Sequence, residues 1–325
     1  MRKYKKHIEI FFLPRRLRRR LGEQTLELQE WLPIARIECH PEAGCNHPQC
    51  QRLIASYAGF YEQYCRTTFD NAKSSLYKLT LHAIALGNYS STTTYLKKIS
   101  RRSSFFSRDI KKAQKNGFWV SPFAHSQKVR EMAEIKGSVS MRSFGPILQW
   151  PLFKKYSNKN AAPSVTGDPS DAITCPLHWE LLFGVFEGPE SNVEQSRLVG
   201  FARLHRIGNI ASYDELIGHG QYLDRGIMKL LHAHIVQWLV DSAESYTQGI
   251  KYLAHGSVER GNEGFFFWKK KALFMPYLVE LLDFQLPADF HEERYLVLNP
   301  DVRESHIPPK THYKIHGKLE GRVYK

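Results

Sequence analysis

Arg197–Ile207 reads RLVGFARLHRI, and its alternation of apolar with polar or small residues is the period-2 signal of a half-buried strand. Gly208-Asn209 follows, a dipeptide class that favours a tight hairpin, and Ile210–Ile217 (IASYDELI) supplies the second strand. Gly218-His219-Gly220 and Gly226 then bracket a loop that feeds a helix, in which Ile227, Leu230, Leu231, Ile235, Trp238 and Leu239 recur on one face. Lys251–Val258 (KYLAHGSV) returns to strand-like residues, and Gly261–Phe274 (GNEGFFFWKKKALF) reads as a short aromatic-rich helix. A helix set between two strands is the pattern of a crossover connection.

This order resembles the core of the GNAT superfamily of acyltransferases. The resemblance implies a glycine loop whose backbone amides hold the donor's pyrophosphate at a helix N-terminus, where unpaired N–H groups and the helix dipole favour an anion. Leu223-Asp224-Arg225-Gly226-Ile227-Met228-Lys229-Leu230-Leu231 falls where the family has its Q/R-x-x-G-x-G/A loop and following leucines. Gly226 and the leucine pair match, whereas Leu223 replaces the Gln or Arg and Met228 the second small residue. Asn262–Phe274 looks like the family's later helix, with Phe267 or Trp268 where a tyrosine often stands. Ser107–Val120 (SRDIKKAQKNGFWV), followed by a helical Ala133–Arg142, is similar to the inter-domain segment of Fem-type aminoacyltransferases, which have GNAT-like domains. A first strand at Gly117–Phe123, a helix at Ser126–Met141 and a second strand at Trp179–Glu187 then complete the order across roughly 118–283.

The chain has 325 residues, enough for two domains, and 42% of them are hydrophobic, as in globular proteins. No apolar run reaches the length of a membrane span, and Ile8–Leu13 is too short for a signal-peptide core, so a cytoplasmic location is expected. The net charge of +14 is uneven: residues 1–117 carry 22 Lys+Arg against 9 Asp+Glu, and residues 118–325 carry 24 against 23. Such asymmetry points to an anionic partner for the first part of the chain. Arg15, Arg16, Arg18, Arg19 and Arg20 follow the apolar, aromatic His7–Pro14, the composition of a peripheral anchor on anionic membrane, and equally of a basic arm on RNA. No recognisable nucleic-acid motif accompanies it, which argues against nucleic acid.

Residues 24–116 read as mostly helical, with helical spacings in Gln49–Phe69 and Ser74–Leu86 and a basic helix at Ser104–Asn116. Ser157–Pro176, rich in Pro, Gly and small polar residues, is a long loop, and Gly188–Ser196 a hairpin-like connection. The end of the chain, Tyr295–Val302 and His312–Arg322, looks like a short helical appendix of surface-polysaccharide and glycosyl-transfer enzymes; Pro308-Pro309 can start a helix there and Gly317 end one. The expected units are 1–117, basic and mainly helical; 118–283, GNAT-like; and 284–325, the appendix.

Acyl transfer needs a held donor, a base for the nucleophile and a donor to the oxyanion. The resemblance places the donor on Gly220, Arg225, Gly226, Ile227 and Lys229. Base candidates at strand ends are Asp214, Glu215, His219, His255 and Glu259, of which Glu215, His219 and His255 rank highest: imidazole titrates near neutrality and burial tunes carboxylates upward. Cys39, His40, Cys45, His47 and Cys50 crowd into CHPEAGCNHPQC, and three thiols with one histidine could hold a structural zinc, although the spacing is not a standard one. An odd total of five cysteines argues against a disulfide framework, and incidental free cysteines are the favoured reading over zinc. No G-x-S-x-G, P-loop, dinucleotide G-x-G-x-x-G or H-E-x-x-H occurs.

The expected fold is α/β, a GNAT-like mixed sheet flanked by helices. The expected function is acyl transfer, N-acyl by preference, from acyl-CoA or acyl carrier protein to an amine or hydroxyl of an envelope glycan, lipid or small amine. An aminoacyl-tRNA donor would also suit the basic segment. The rival is a non-catalytic factor at the membrane surface that keeps the fold.

Overall fold

A computed structural model describes residues 32–39, 48–62, 64–65, 80–139, 141–142, 145–146, 175–190, 192–257, 263–283, 286–304, 309–318 and 320–325. The arginine run at 15–20, His40, Cys45, His47, Glu259 and all but the last two residues of the 157–176 loop lie outside them.

The strands are β1 (Ile34–Ile37), β2 (Leu81–Ala85), β3 (Phe118–Pro122), β4 (His178–Glu187), β5 (Arg197–Ile207), β6 (Ile210–Gly218), β7 (Tyr252–Ser257) and β8 (Met275–Leu281). They form one mixed sheet in the order β1-β8-β2-β7-β6-β5-β4-β3. The larger helices are α1 (Pro48–Glu62), α2 (Thr92–Arg102), α3 (Ser104–Lys115), α4 (Val129–Gly137), α5 (Ile227–Asp241) and α6 (Glu263–Lys271). Each element read between Arg197 and Phe274 is found where the pattern put it. β6 and β7 are parallel and joined through α5, as the crossover requires.

Helices α2, α3 and α5 cover one face of the sheet, where Tyr95, Phe106, Ile227, Leu231 and Ile235 share a core with Phe183, Val199 and Leu253. Helix α1 packs on the opposite face through Leu53, Ile54, Tyr57 and Tyr61, and α4 takes the rest of that face through Met132 and Ile135 against Phe186 and Phe201. Side chains from both sides of residue 117 therefore share cores. β2 itself sits between β7 and β8.

That strand differs from the helix expected over Ser74–Leu86. Leu81, His82, Ala83 and Ile84 are all buried, because a central strand covered on both faces has no polar side to show. A short continuous apolar run carries no period that separates strand from helix.

The Gly208-Asn209 turn is held against the end of β1. Gly208 has φ +55, and a Cβ there would lie 1.8 Å from the Glu38 carbonyl oxygen. Asn209 donates its N–H to Glu38 O (3.0 Å) and its side-chain amide to Arg36 O (3.1 Å), and accepts from Glu38 N–H (3.2 Å). Glycine is required twice over, for the left-handed backbone and for the close approach.

After β8 the chain forms short helices α7 (Glu292–Leu298), α8 (Pro300–Glu304) and α9 (Pro309–His312), and a last turn ending at Gly317. Tyr295, Val302 and Tyr313 make their own small core. Lys314 anchors this appendix to α1 by an ion pair with Glu62 at 3.2 Å. No helix among the described residues is long and apolar enough to cross a membrane.

Candidate functional site

β6 pairs with β5 along its length but with β7 only over Ile210–Ser212. Beyond Ser212 the two parallel strands part. At the same point a bulge inserts Asp214 opposite the Arg203/Leu204 step of β5. Bulges re-aim side chains, and this one turns a carboxylate toward the α1 face.

A polar group surrounds Asp214. Glu180 of β4, His205 of β5 and Ser212 of β6 stand in one cross-strand row. Above the row lie Tyr57 and Tyr61 of α1. Asp214 Oδ1 is 2.9 Å from His205 Nδ1, and His205 Nε2 is 3.1 Å from the Tyr61 hydroxyl, which in turn meets Ser212 Oγ. Tyr57 stacks on the imidazole at 3.5 Å between centroids, and its hydroxyl lies 2.7 Å from Asp214 Oδ2 and 3.0 Å from Glu180 Oε1.

The single phenolic hydrogen of Tyr57 lies between two carboxylates, those of Asp214 and Glu180, each within hydrogen-bond distance of the hydroxyl. Burial holds the Glu180 carboxyl above its usual range; the bond from Tyr57 lowers it and the Asp214 charge adds to the rise. Burial, reinforced by those carboxylates, pushes the Tyr57 phenol up as well. The arrangement joins Asp214 and Glu180 through the Tyr57 hydroxyl and sets Asp214 against His205. A carboxyl with a raised pKa at the surface of a hydrogen-bonded network suits proton transfer. The Asp214 side chain is 24% exposed and that of His205 is 2% exposed, so solvent reaches the network at Asp214 and not at the imidazole.

A raised folded-state pKa favours the protonated form, so the stability it contributes is present below the unfolded Glu value of about 4.3 and is lost as pH rises through the folded value. Urea unfolding between pH 5 and 8 should therefore show Glu180→Gln gaining on the parent protein as pH rises. Parallel stability curves for the two would mean that Glu180 is not held protonated.

On the other face the parting of β6 from β7 is filled. Tyr213 O–H meets His232 Nδ1 at 3.0 Å, His232 Nε2 meets the Tyr95 hydroxyl at 2.8 Å, and Tyr95 donates to Ala272 O at 2.8 Å. Tyr95 spends its proton on the carbonyl, so His232 carries its hydrogen on Nε2 and accepts from Tyr213 on Nδ1. Burial depresses that imidazole to about 3, so it is neutral. His255 packs here against Tyr213, Trp268 and Phe274, and burial, then the nearby Lys269 charge, holds it well below the usual imidazole range. Lys269 is itself lowered to about 7 by burial and donates to His255 O.

The other sequence candidates occupy the rim. Glu215 pairs with Lys136 at 2.7 Å and Arg203 at 3.4 Å. His219 follows β6, accepts Gln221 N–H on Nδ1 at 3.3 Å and lies edge-on to Tyr222. Gly220 donates its N–H to Ser138 Oγ at 2.8 Å. Gly226, at φ +84, caps α5, and Ile227 opens it as a fully buried core residue. A Cβ on Gly226 would lie 2.2 Å from the Asp109 carbonyl oxygen. Lys229 pairs with the Asp109 carboxylate, and Arg225 lies over the Tyr222 ring, 3.8 Å from Glu187. The anion next to Lys229 is thus one of the chain's own, on α3.

The architecture is α/β, a mixed eight-stranded sheet flanked by helices. No protein-family model matches the chain, and no curated protein does. Among solved structures it is similar to the C-terminal domain of a putative lysylphosphatidylglycerol synthetase from Agrobacterium fabrum, at 12% identity and TM-score 0.35, over 61% of this chain and 57% of that one. It is also similar to L-PGS from Bacillus licheniformis, at 13% identity and TM-score 0.31, over 61% of this chain and 59% of that one. The chain spans less than two thirds of either structure.

Glu180, His205, Tyr57 and Tyr61 were missed from the sequence. Their trace there is faint: single polar positions in separate strands, and two tyrosines within the apolar stripe of α1. Only the strand register shows that these positions form a row.

Proposed function

We propose that this protein transfers an acyl group, aminoacyl groups included, to an amine or hydroxyl, with the proton taken up at the β6 bulge. The observation that carries the reading is the Tyr57–Glu180–Asp214–His205 network at the parting of β6 and β7. Asp214 is the base that meets the nucleophile; His205 and Tyr57 orient it; Glu180 supplies a proton to the departing group. Glu215 positions Arg203 and Lys136 at the rim, and His219 with Gly220, Arg225, Gly226, Ile227 and Lys229 borders the side where the donor's phosphates would lie. His255 supports the buried wall.

The basic face of α2 and α3 favours a phosphate-bearing donor. Lys97, Lys98, Arg101, Arg102, Arg108, Lys111, Lys112 and Lys115 are all exposed, and Asp109 is the one acidic residue between 92 and 117. Acyl-CoA, acyl carrier protein and aminoacyl-tRNA all meet that requirement. The rival reading, a non-catalytic binding factor, draws on the occupation of Gly226 and Lys229 by Asp109.

A transfer assay with labelled donors separates the two. The panel sets acyl-CoA, acyl carrier protein and aminoacyl-tRNA against polyamine, glycan and lipid acceptors; phosphatidylglycerol is included because one structural neighbour is named for its lysyl derivative. Label in an acceptor, with donor binding that weakens as salt rises, is the expected result. Donor binding without any transfer would favour the rival.

A further inference from the structure

Three thiol and imidazole groups converge away from the proposed site. Cys50 lies in the first turn of α1, Cys175 in the segment leading into β4, and His178 opens β4. Cys50 Sγ, Cys175 Sγ and one His178 ring nitrogen lie within 4.8 Å of one another, and the residues are 1%, 7% and 3% exposed. His178 Nε2 is 2.7 Å from the Cys39 carbonyl oxygen, so it carries the ring hydrogen and leaves the Nδ1 lone pair facing Cys175 Sγ at 3.5 Å. A ligating histidine is oriented in this way, its other nitrogen donating to a carbonyl.

The spacing fits zinc. Zn–S of about 2.3 Å and Zn–N of about 2.05 Å at a tetrahedral angle place S and N about 3.6 Å apart. The charge fits too: two thiolates, a neutral imidazole and Zn²⁺ sum to zero, which a buried site needs. We infer that Cys50, Cys175 and His178 Nδ1 bind a structural zinc ion that ties the end of β1, the start of α1 and the start of β4 together. Binding releases the two thiol protons, and a water or another donor completes the tetrahedron.

This set differs from the run of ligands expected within residues 39–50. Of that run, the described residues split. Cys50 joins the new group, while the Cys39 thiol lies with Asp283 and Cys65, and burial, then those two groups, raise it. The pair Cys175-Pro176-Leu177-His178 is itself a compact C-x-x-H spacing.

The test uses the full chain purified without chelator. Elemental analysis should give about one zinc per chain. Cobalt exchanged for it should show intense tetrahedral visible bands and a thiolate charge-transfer band of two-thiolate strength. Cys50→Ser and Cys175→Ser should lose the metal and melt lower, while Cys39→Ser and Cys65→Ser keep it. If the ligand variants fail to fold, the cobalt spectrum of the parent protein still decides. Protein that takes up neither zinc nor cobalt, a Cys50–Cys175 disulfide, a three-thiolate band, or zinc retained by Cys175→Ser would overturn the assignment.

Discussion

Asp214→Asn should lower kcat/KM for acyl transfer by about 10²–10⁴, the range for loss of a general base. Asparagine has nearly the same shape, but it presents an uncharged amide to the Tyr57 hydroxyl, which donates to the carboxylate, and to the nearby His205 ring. The loss should fall in kcat, and the remaining rate should lose the acid limb of its pH profile. Glu215→Gln is the contrast: its ion pairs with Lys136 and Arg203 are partly exposed, and such pairs contribute about 1 kcal/mol or less. Equal losses in the two variants would move the base to the rim. An unaffected Asp214→Asn would remove the network from the reaction.

Arg206→Met should cost about 3 kcal/mol or more of stability, because three carbonyl groups lose their donor at about 1–3 kcal/mol for each one buried. Arg206 is 1% exposed, and its guanidinium spends its donors on three carbonyl oxygens: Gly208 at 2.7 Å, Tyr246 at 2.7 Å and Gln248 at 2.6 Å. Burial lowers its pKa only to about 10, so the group stays charged at neutrality. Methionine fills part of the volume and leaves those acceptors buried without their donors. Arg206→Lys should fall between, since one ammonium cannot span three carbonyls held in a fork. Urea unfolding reads the difference, and a change below about 1 kcal/mol would show that water satisfies the loop without the arginine.

The stretch from Arg197 to Phe274 declared itself by local chemistry. Alternation in RLVGFARLHRI, the Gly208-Asn209 turn and the apolar face of Ile227–Leu239 all depend on near neighbours, and the strands, hairpin and crossover helix follow from them. Local signals failed where burial is two-sided. Leu81–Ala85 is buried on both sides, His82 included, because α1 covers one face and the α2, α3 and α5 layer covers the other, so no polar period marks it as a strand.

Site residues divide in the same way. Asp214 was legible as a candidate base, although it lies at a bulge inside β6 and not at a strand end, and Gly226 as the glycine of the loop that opens α5. What Gly226 faces, the carbonyl of Asp109 more than a hundred residues earlier, depends on how α3 packs on α5. The row Glu180–His205–Ser212 exists only through sheet register, since each residue alone is an ordinary polar position in its strand. The group of Cys50, Cys175 and His178 likewise joins Cys50 to two residues 125 and 128 positions later, which α1 and β4 bring within a few ångströms. Sequence by itself determined the elements, because hydrogen bonds and side-chain periods act within a few residues. Tertiary structure alone decided which chemistry meets which, because only register and helix docking set contacts across such separations.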